Sequence, residues 1–422
     1  PDRGLPQVGG AYQKVFENTV ATTSGSRNLF IDNGSSLVNL KVTADKKPQN
    51  FDTLTTANGY TNPKKIALLN FMGYGESTST TVTDGTAITA SLNTDLKNVG
   101  GVLHSIPQLI TNKVAVDATG KFDTSQRQDY VIYGSMDGAL HMLDDSTGKE
   151  VFTFVPKQIL DLQPKALAGN GTAEDGNYPY GVDAPWLTYA SYTTKSNTTG
   201  TGDAATTTNT FEAEQSFALG GLRMSGSMYY ALDVSTPSTP KMIYSVGSNY
   251  ANKLQDRPGS TPTVLAGTTS STTSNAAEQQ AFAKMGQSWG KPALGYVKSG
   301  SKRVMVSFLP GGYDTCYEDA KFKLSTSYPN NAQCNNKAAA QGNGVYMVQM
   351  GEVETKANNE EKVNVSTGNG KLLWWANNSG TSVTAASTAT SASLQYSKAD
   401  DLKHSVVTQI RTLDRNYDGL TD

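Results

Sequence analysis

The nine residues Asp414-Arg415-Asn416-Tyr417-Asp418-Gly419-Leu420-Thr421-Asp422 place oxygen-bearing side chains on alternate positions and follow them with a glycine. That is the donor order of a calcium loop, because a hard cation is held by carboxylate, amide and backbone oxygens. Asp414, Asn416 and Asp418 fill the first, third and fifth positions of the D-x-[DN]-x-[DN]-G pattern. Gly419 permits the turn, Leu420 offers its backbone carbonyl, and Asp422 stands at the ninth position. The competing reading is an acidic hairpin turn in which Asp and Asn supply the backbone angles with no metal.

Little else in the chain could do chemistry. Cys316 and Cys334 lie in one polar insert among Asn, Asp, Ser and Lys, where free thiols would be unusual. They read as a disulfide, and hence as a sign of an oxidising compartment. Metal ligation is the rival, but neither cysteine has a nearby His or second Cys pair for a tetrahedral site. His104, His141 and His404 are far apart in sequence and read as hydrogen-bonding groups of the fold. Asp137-Gly138 reads as a tight hairpin turn. The chain has no nucleophile elbow, His-Glu-x-x-His helix or phosphate-cradling Gly-Lys loop.

Composition narrows the partners. Over 422 residues, 35 Lys and Arg stand against 37 Asp and Glu, a formal charge of −2 with no basic stripe, so nucleic acid is not expected. No apolar run approaches the roughly 20 residues that cross a bilayer, so no membrane span is expected. Twenty tyrosines suit protein or glycan contact as well as core packing. The chain begins without a signal peptide's apolar core and stops directly after the loop, and it reads as a fragment.

The elements that must position the loop read as strands. An EF-hand would flank it with helices, whereas residues 405–413 are β-branched and roughly alternating. Nine-residue calcium loops that join strands occur in the blade hairpins of some β-propellers. Residues 106–110, 130–133, 139–144 and 150–154 then read as four antiparallel strands with tight turns, which is one propeller blade. The order recurs at 217–221, 228–234 and 240–246, and again at 292–297, 303–308, 344–350 and 371–375. His404-Ser405 echoes His104-Ser105 and opens a further unit. Residues 1–100 read as a lead-in with strands at 28–31, 36–42 and 65–71, and 101–422 as the blades. Stretches 78–96, 192–210, 259–275 and 376–393 are Ser, Thr, Asn, Gly and Ala-rich and read as surface loops. Short helices are expected at 156–166 and 275–285.

These residues resemble the C-terminal domain of the PilC/PilY family, the tip-associated adhesins of type IV pili. The likeness runs in order through Leu103-His104-Ser105-Ile106-Pro107, Gly134-Ser135-Met136-Asp137-Gly138-Ala139-Leu140-His141 and Thr147-Gly148-Lys149-Glu150. It continues through Leu219-Gly220-Gly221, Tyr230-Ala231-Leu232-Asp233-Val234-Ser235-Thr236-Pro237 and the loop at 414–422, so that it spans about residues 60–422. Gly311-Gly312-Tyr313-Asp314-Thr315-Cys316 is most similar to the neisserial PilC branch. The resemblance implies an all-β, modified seven-bladed β-propeller with long loop insertions, incomplete in this fragment. It also implies export to the periplasm, outer membrane surface or pilus tip. The expected function is support of pilus assembly against retraction, with minor pilins or the tip complex as partners and adhesion to a host-cell surface receptor. The N-terminal half that carries much of the family's receptor binding is missing here. Residues 144–152 and 367–375 also resemble repeats of quinoprotein dehydrogenases, which implies a periplasmic propeller enzyme or assembly scaffold as the second reading. Such an enzyme needs a catalytic carboxylate and a ring of cofactor ligands that this sequence does not nominate, so the chain reads as a binding protein whose cofactor is Ca²⁺.

Overall fold

The computed structural model describes residues 27–33, 36–74, 81–88, 100–117, 119–162, 167, 180–200, 205–248, 264–265, 276–329, 331–357, 360–367, 369–379 and 394–422. The described chain is mostly β-sheet. A lead-in of β1 (Leu29–Asp32), β2 (Leu37–Val42), β3 (Pro48–Gln49) and helix α1 (Asn62–Phe71) precedes three strand meanders. The first comprises β4 (Gln108–Val116), β5 (Phe122–Gly134), β6 (Leu140–Asp144) and β7 (Glu150–Val155), followed by α2 (Lys157–Leu162). The second comprises β8 (Leu187–Thr199), β9 (Thr206–Gly220), β10 (Met228–Asp233) and β11 (Lys241–Ser248), with β12 (Val264–Leu265) at its edge and α3 (Ala276–Phe282) after it. The third comprises β13 (Ala293–Ser299), β14 (Lys302–Pro310), β15 (Val345–Thr355) and β17 (Leu372–Asn377). The short β16 (Glu361–Asn364) and β18 (Gln395–Lys398) lie beside it.

Each meander is antiparallel along its length. The first two join into one sheet because the outer part of β4 pairs with β9, and β1 adds in parallel to β7. The third forms the core of a separate sheet, and the sheets do not close into a ring among the described residues. The expected blade at 106–154 is thus present as a four-stranded meander, whereas the ring itself is not seen.

The meanders stack face to face, as the alternation of β10 shows. Met228, Tyr230 and Leu232 enter one core with Phe152, Phe154, Ile159 and the lead-in residues Leu29, Ile31 and Leu69. Tyr229 and Ala231, on the opposite face, enter a second core with Met305, Leu309, Tyr346 and Trp375. Period-two side-chain placement buries the middle meander on both faces. Phe154 and Tyr230 meet edge to face at 5.4 Å.

One junction recurs three times. The turn after β5 is bonded to the entry of the second meander, with Val182 N donating to Ser135 O at 2.9 Å. The turn after β9 is bonded to the entry of the third, with Arg223 N donating to Ser288 O at 3.0 Å. After β14, Gly312 N donates to Val406 O at 2.9 Å, just beyond His404-Ser405. The close approach requires glycine at the strand ends: a Cβ on Gly134 would stand 2.1 Å from Val182 O, and one on Gly221 2.5 Å from Ser288 O.

Several expectations are corrected. Residues 65–71, read as a strand, lie in α1, because Pro63 starts a helix and Ile66, Leu68, Leu69 and Phe71 are buried at helical rather than alternating spacing. Most of 192–210, read as a loop, forms the ends of β8 and β9, where β-branched Thr favours extended pairing. Residues 405–413, read as a strand, form no ladder; they are held by isolated bonds, Val406 N donating to Gly342 O, Val406 O accepting from Gly312 N and Thr412 Oγ1 donating to Leu294 O. The helices read at 156–166 and 275–285 appear as α2 and α3. Most of 78–96, 259–275 and 376–393, and residues 1–26, lie outside the described residues.

Candidate metal centre

The loop at 414–422 folds over its own backbone. Asp414 accepts from Asp418 N at 3.2 Å and Gly419 N at 2.8 Å, and Asn416 Oδ1 also accepts from Asp418 N at 3.1 Å. Asp418 Oδ1 accepts from Leu420 N at 2.9 Å, and its other oxygen receives Asn416 Nδ2 at 3.2 Å. Asp422 accepts from Arg415 N at 2.6 Å, while its own amide donates to Leu413 O at 3.0 Å and closes the loop. Tyr417 and Gly419 take left-handed φ of 60° and 79°, the conformation that glycine at this position permits.

Two contacts seat the loop on the third meander. Thr421 N donates to Tyr296 O on β13 at 2.7 Å. Arg303, on β14, donates to Gly419 O at 3.0 Å, forks onto both Glu361 oxygens at 2.9 and 2.7 Å, and stacks over Tyr296 at 4.3 Å. The planar guanidinium meets Glu361 through Nη1 and the Gly419 carbonyl through Nη2, so it holds direction as well as charge.

The donor chemistry of Asp414, Asn416, Asp418, Asp422 and the Leu420 carbonyl fits a hard cation, and the five are gathered in one turn. Their side chains nevertheless face the loop's own amides, and no three His, Cys, Asp or Glu groups converge as a metal cluster among the described residues.

The remaining sequence candidates have structural partners. Cys316 and Cys334 form a disulfide with Cα atoms 5.7 Å apart, packed on Phe322 in a small core of their own. Buried Asp314 anchors this insert by accepting from Cys316 N and Gln341 N and pairing with Lys337 at 2.6 Å. His104 Nδ1 lies 2.7 Å from Asp183, and His404 Nδ1 lies 2.7 Å from Tyr317 Oη. The echo of His104-Ser105 in His404-Ser405 is physical: Ser105 Oγ accepts from Gly134 N, and Ser405 Oγ accepts from Asp314 N, each at the turn of a second strand. Phe152 and Trp375 are core residues, while Trp374 donates to Ser397 Oγ.

Sequence reasoning missed a buried charge network on the first meander. Arg27 forks onto Glu150 at 2.9 and 2.6 Å, and His141 bridges Glu150 to Asp137 at 3.1 Å on each side. All four side chains are buried. Tyr133 stacks on His141 at 5.3 Å, and the Arg27 guanidinium lies 4.2 Å over the Phe71 ring. Burial alone would lower the His141 pKa, but Asp137 and then Glu150 raise it to about 9. Burial opposes ionisation of Glu150 too, yet Arg27 and then His141 hold it well below the usual carboxylate range. Asp137 is depressed in the same way against burial, by His141, then Arg27 and Ser135. Asp137, four residues before His141, was the available signal; Glu150 reaches His141 only through the pairing of β6 with β7, and Arg27 comes from the lead-in and carried none.

No known family model matches the chain, and no curated protein matches it. Among solved structures, a match is found to the crystal structure of the Pseudomonas aeruginosa PilY1 C-terminal domain, at 16% identity over 71% of this chain and 36% of that one, with a TM-score of 0.29. The chain thus spans about a third of that structure's length, and a superposition this loose carries no argument. No described helix is long and apolar enough to cross a membrane.

Proposed function

We propose that the chain is a calcium-binding domain of successive β-propeller-type blades that acts by binding other proteins, in the setting of a type IV pilus tip. The observation that supports the blade reading is the recurrent junction, in which a strand-end turn is bonded to the entry of the next meander at Ser135–Val182 and Arg223–Ser288, and to the segment that follows the third meander at Gly312–Val406. The pilus setting, export, support of assembly against retraction and adhesion to host cells rest on the sequence resemblance carried by the blade motifs.

In this reading Asp414, Asn416, Asp418, Asp422 and the Leu420 carbonyl hold Ca²⁺, whose charge relieves the repulsion among three carboxylates within nine residues. Arg303 and Tyr296 fix the loop's position on β13 and β14, so ordering the loop orders the surface beside it. Calcium alters partner binding only to the extent that it favours one loop conformation over another.

Calorimetric titration of the intact chain with Ca²⁺ tests this. Saturable binding is expected, with loss of the heat in Asp418→Ala and no change in that variant's melting temperature in chelator. A variant that titrates like the parent chain would refute the assignment. Binding to minor pilins with and without Ca²⁺ then tests the setting.

A further inference from the structure

The outer parts of β5, β4, β9 and β8 lie side by side beyond the two cores, with Phe122 opposite Val116, Val114 opposite Phe211 and Phe211 opposite Thr194. The two faces of this arm differ in kind. One is charged: Glu212 pairs with Lys113 at 3.1 Å and Lys195 at 2.9 Å, and Thr193 Oγ1 donates to Glu360 at 3.1 Å, which ties this face to the third meander. The other carries a row of three rings across the strands. Tyr192 stacks on Phe211 at 5.0 Å and Phe122 flanks it at 5.5 Å, with Tyr192 38% and Phe122 58% exposed.

Beside the rings stands an acceptor that lacks a donor. Asp129 lies opposite Thr111 in the β4–β5 pairing, and Thr111 O accepts from Tyr192 Oη at 3.0 Å. Burial, and then the Asp129 charge, raise the Tyr192 hydroxyl above its ordinary pKa, so the two groups are within electrostatic reach. The Asp129 side chain is only 7% exposed; Arg127 Nε donates to its Oδ2, whereas Oδ1 has no hydrogen-bond partner. A buried acceptor in that condition is costly and calls for a donor from outside the chain. Because Arg127 already balances the carboxylate, a neutral donor suits it better than a second cation.

Beyond the rings the same face continues in short polar groups. Ser196 Oγ donates to Asn209 Oδ1 at 2.6 Å, and the Thr198 and Thr207 hydroxyls lie 2.9 Å apart. At the alternate positions 192–198 and 207–211 that form this face no residue is charged.

We propose that this face is a binding platform for a neutral oligosaccharide. A sugar ring has a face of C–H groups and a rim of hydroxyls, each both donor and acceptor. The C–H face packs on the row of Phe122, Phe211 and Tyr192, one hydroxyl donates to Asp129 Oδ1, and the adjoining sugar meets Thr194, Ser196 and Asn209. Other ligands fit less of the site. An apolar peptide satisfies the rings but leaves Asp129 Oδ1 without a donor and buries the hydroxyls beyond them. An anion faces the Asp129 carboxylate, and a cation finds that carboxylate already paired. The inference is independent of the calcium loop. Exposed rings on a flat sheet enclose little of a ligand, so affinity per site is low.

The intact chain is tested on immobilised neutral oligosaccharides ending in glucose, galactose, mannose or N-acetylglucosamine, beside sialylated and sulfated chains and cationic glucosamine oligomers. Binding to at least one neutral series, and not to the charged ones, is expected. Phe122→Ala and Tyr192→Ala, which remove exposed rings, are each expected to weaken it about tenfold with unchanged melting temperature. Lys195→Ala, on the charged face, is expected to bind as the parent chain does. Failure to bind any neutral chain, a preference for the acidic or cationic series, or binding that survives both ring substitutions overturns the proposal.

Discussion

Arg27, Glu150, His141 and Asp137 show how much of this fold's specificity sits in individual side chains. Their charges cancel as two cations and two anions, and each is hydrogen-bonded to another member of the network, the condition under which burial of charge is tolerated. The network fastens the lead-in to the first meander, so Glu150→Gln, which leaves Arg27 and His141 without their shared anion, is expected to cost about 3–5 kcal/mol in denaturant unfolding. The pH dependence has two arms. His141 is raised to about 9, so its contribution is complete below its ordinary value and is lost as pH climbs through about 9. Glu150 and Asp137 are depressed, so theirs is complete above the ordinary carboxylate range and is lost as pH falls through and below it. Unfolding free energy is therefore expected to be greatest between about pH 5 and 6.5, and Glu150→Gln to flatten both arms. The structural reading of His141 was accessible from sequence because a histidine beside an Asp-Gly hairpin has a nearby anion. Its second anion and the arginine were not, since they meet it only through strand pairing and a segment 114 residues away.

At the scale of elements, strand ends and turns were the legible features, because Gly, Asp-Gly and Thr-Gly mark turns whatever surrounds them. Most strands of the three meanders follow from short apolar runs between such turns, but β8 was not among those read from sequence. Three elements resisted. The apolar run at 66–69 has no alternation, and periodicity alone cannot separate a buried helix from a buried strand. The Thr-rich arms of β8 and β9 have the composition of loops but the backbone preference of strands. The segment 405–413 has strand composition without a ladder partner among the described residues. The junction glycines give a direct check: Gly134→Ala sets a Cβ 2.1 Å from the Val182 carbonyl, which is backbone and cannot swing aside. A loss of about 1–3 kcal/mol is expected in thermal or denaturant unfolding, of the kind that overpacking produces. In the cysteine insert, replacing both Cys316 and Cys334 by Ser is expected to destabilise by about 3 kcal/mol, the chain-entropy value for a loop of this length. The effect should appear first as faster proteolysis within 316–342, because Asp314 and its bonds to Gln341 and Lys337 remain to hold the ends.

At the scale of the whole molecule, the middle meander is buried on both faces, and a strand-end turn of each meander is hydrogen-bonded to the segment that leads on from it. That repetition was visible in sequence as recurring motifs of irregular spacing, whereas closure of the array was not, since it depends on long-range geometry. The loop at 414–422 follows the third junction and is held to β13 and β14 by Thr421 and Arg303. A crystal structure of the intact chain grown in millimolar Ca²⁺ tests this assignment most directly. A single strong peak is expected inside the loop, with oxygens of Asp414, Asn416, Asp418, Asp422 and the Leu420 carbonyl at about 2.3–2.6 Å. Side chains still folded onto the Asp418, Gly419 and Leu420 amides, with only water at that position, would contradict it.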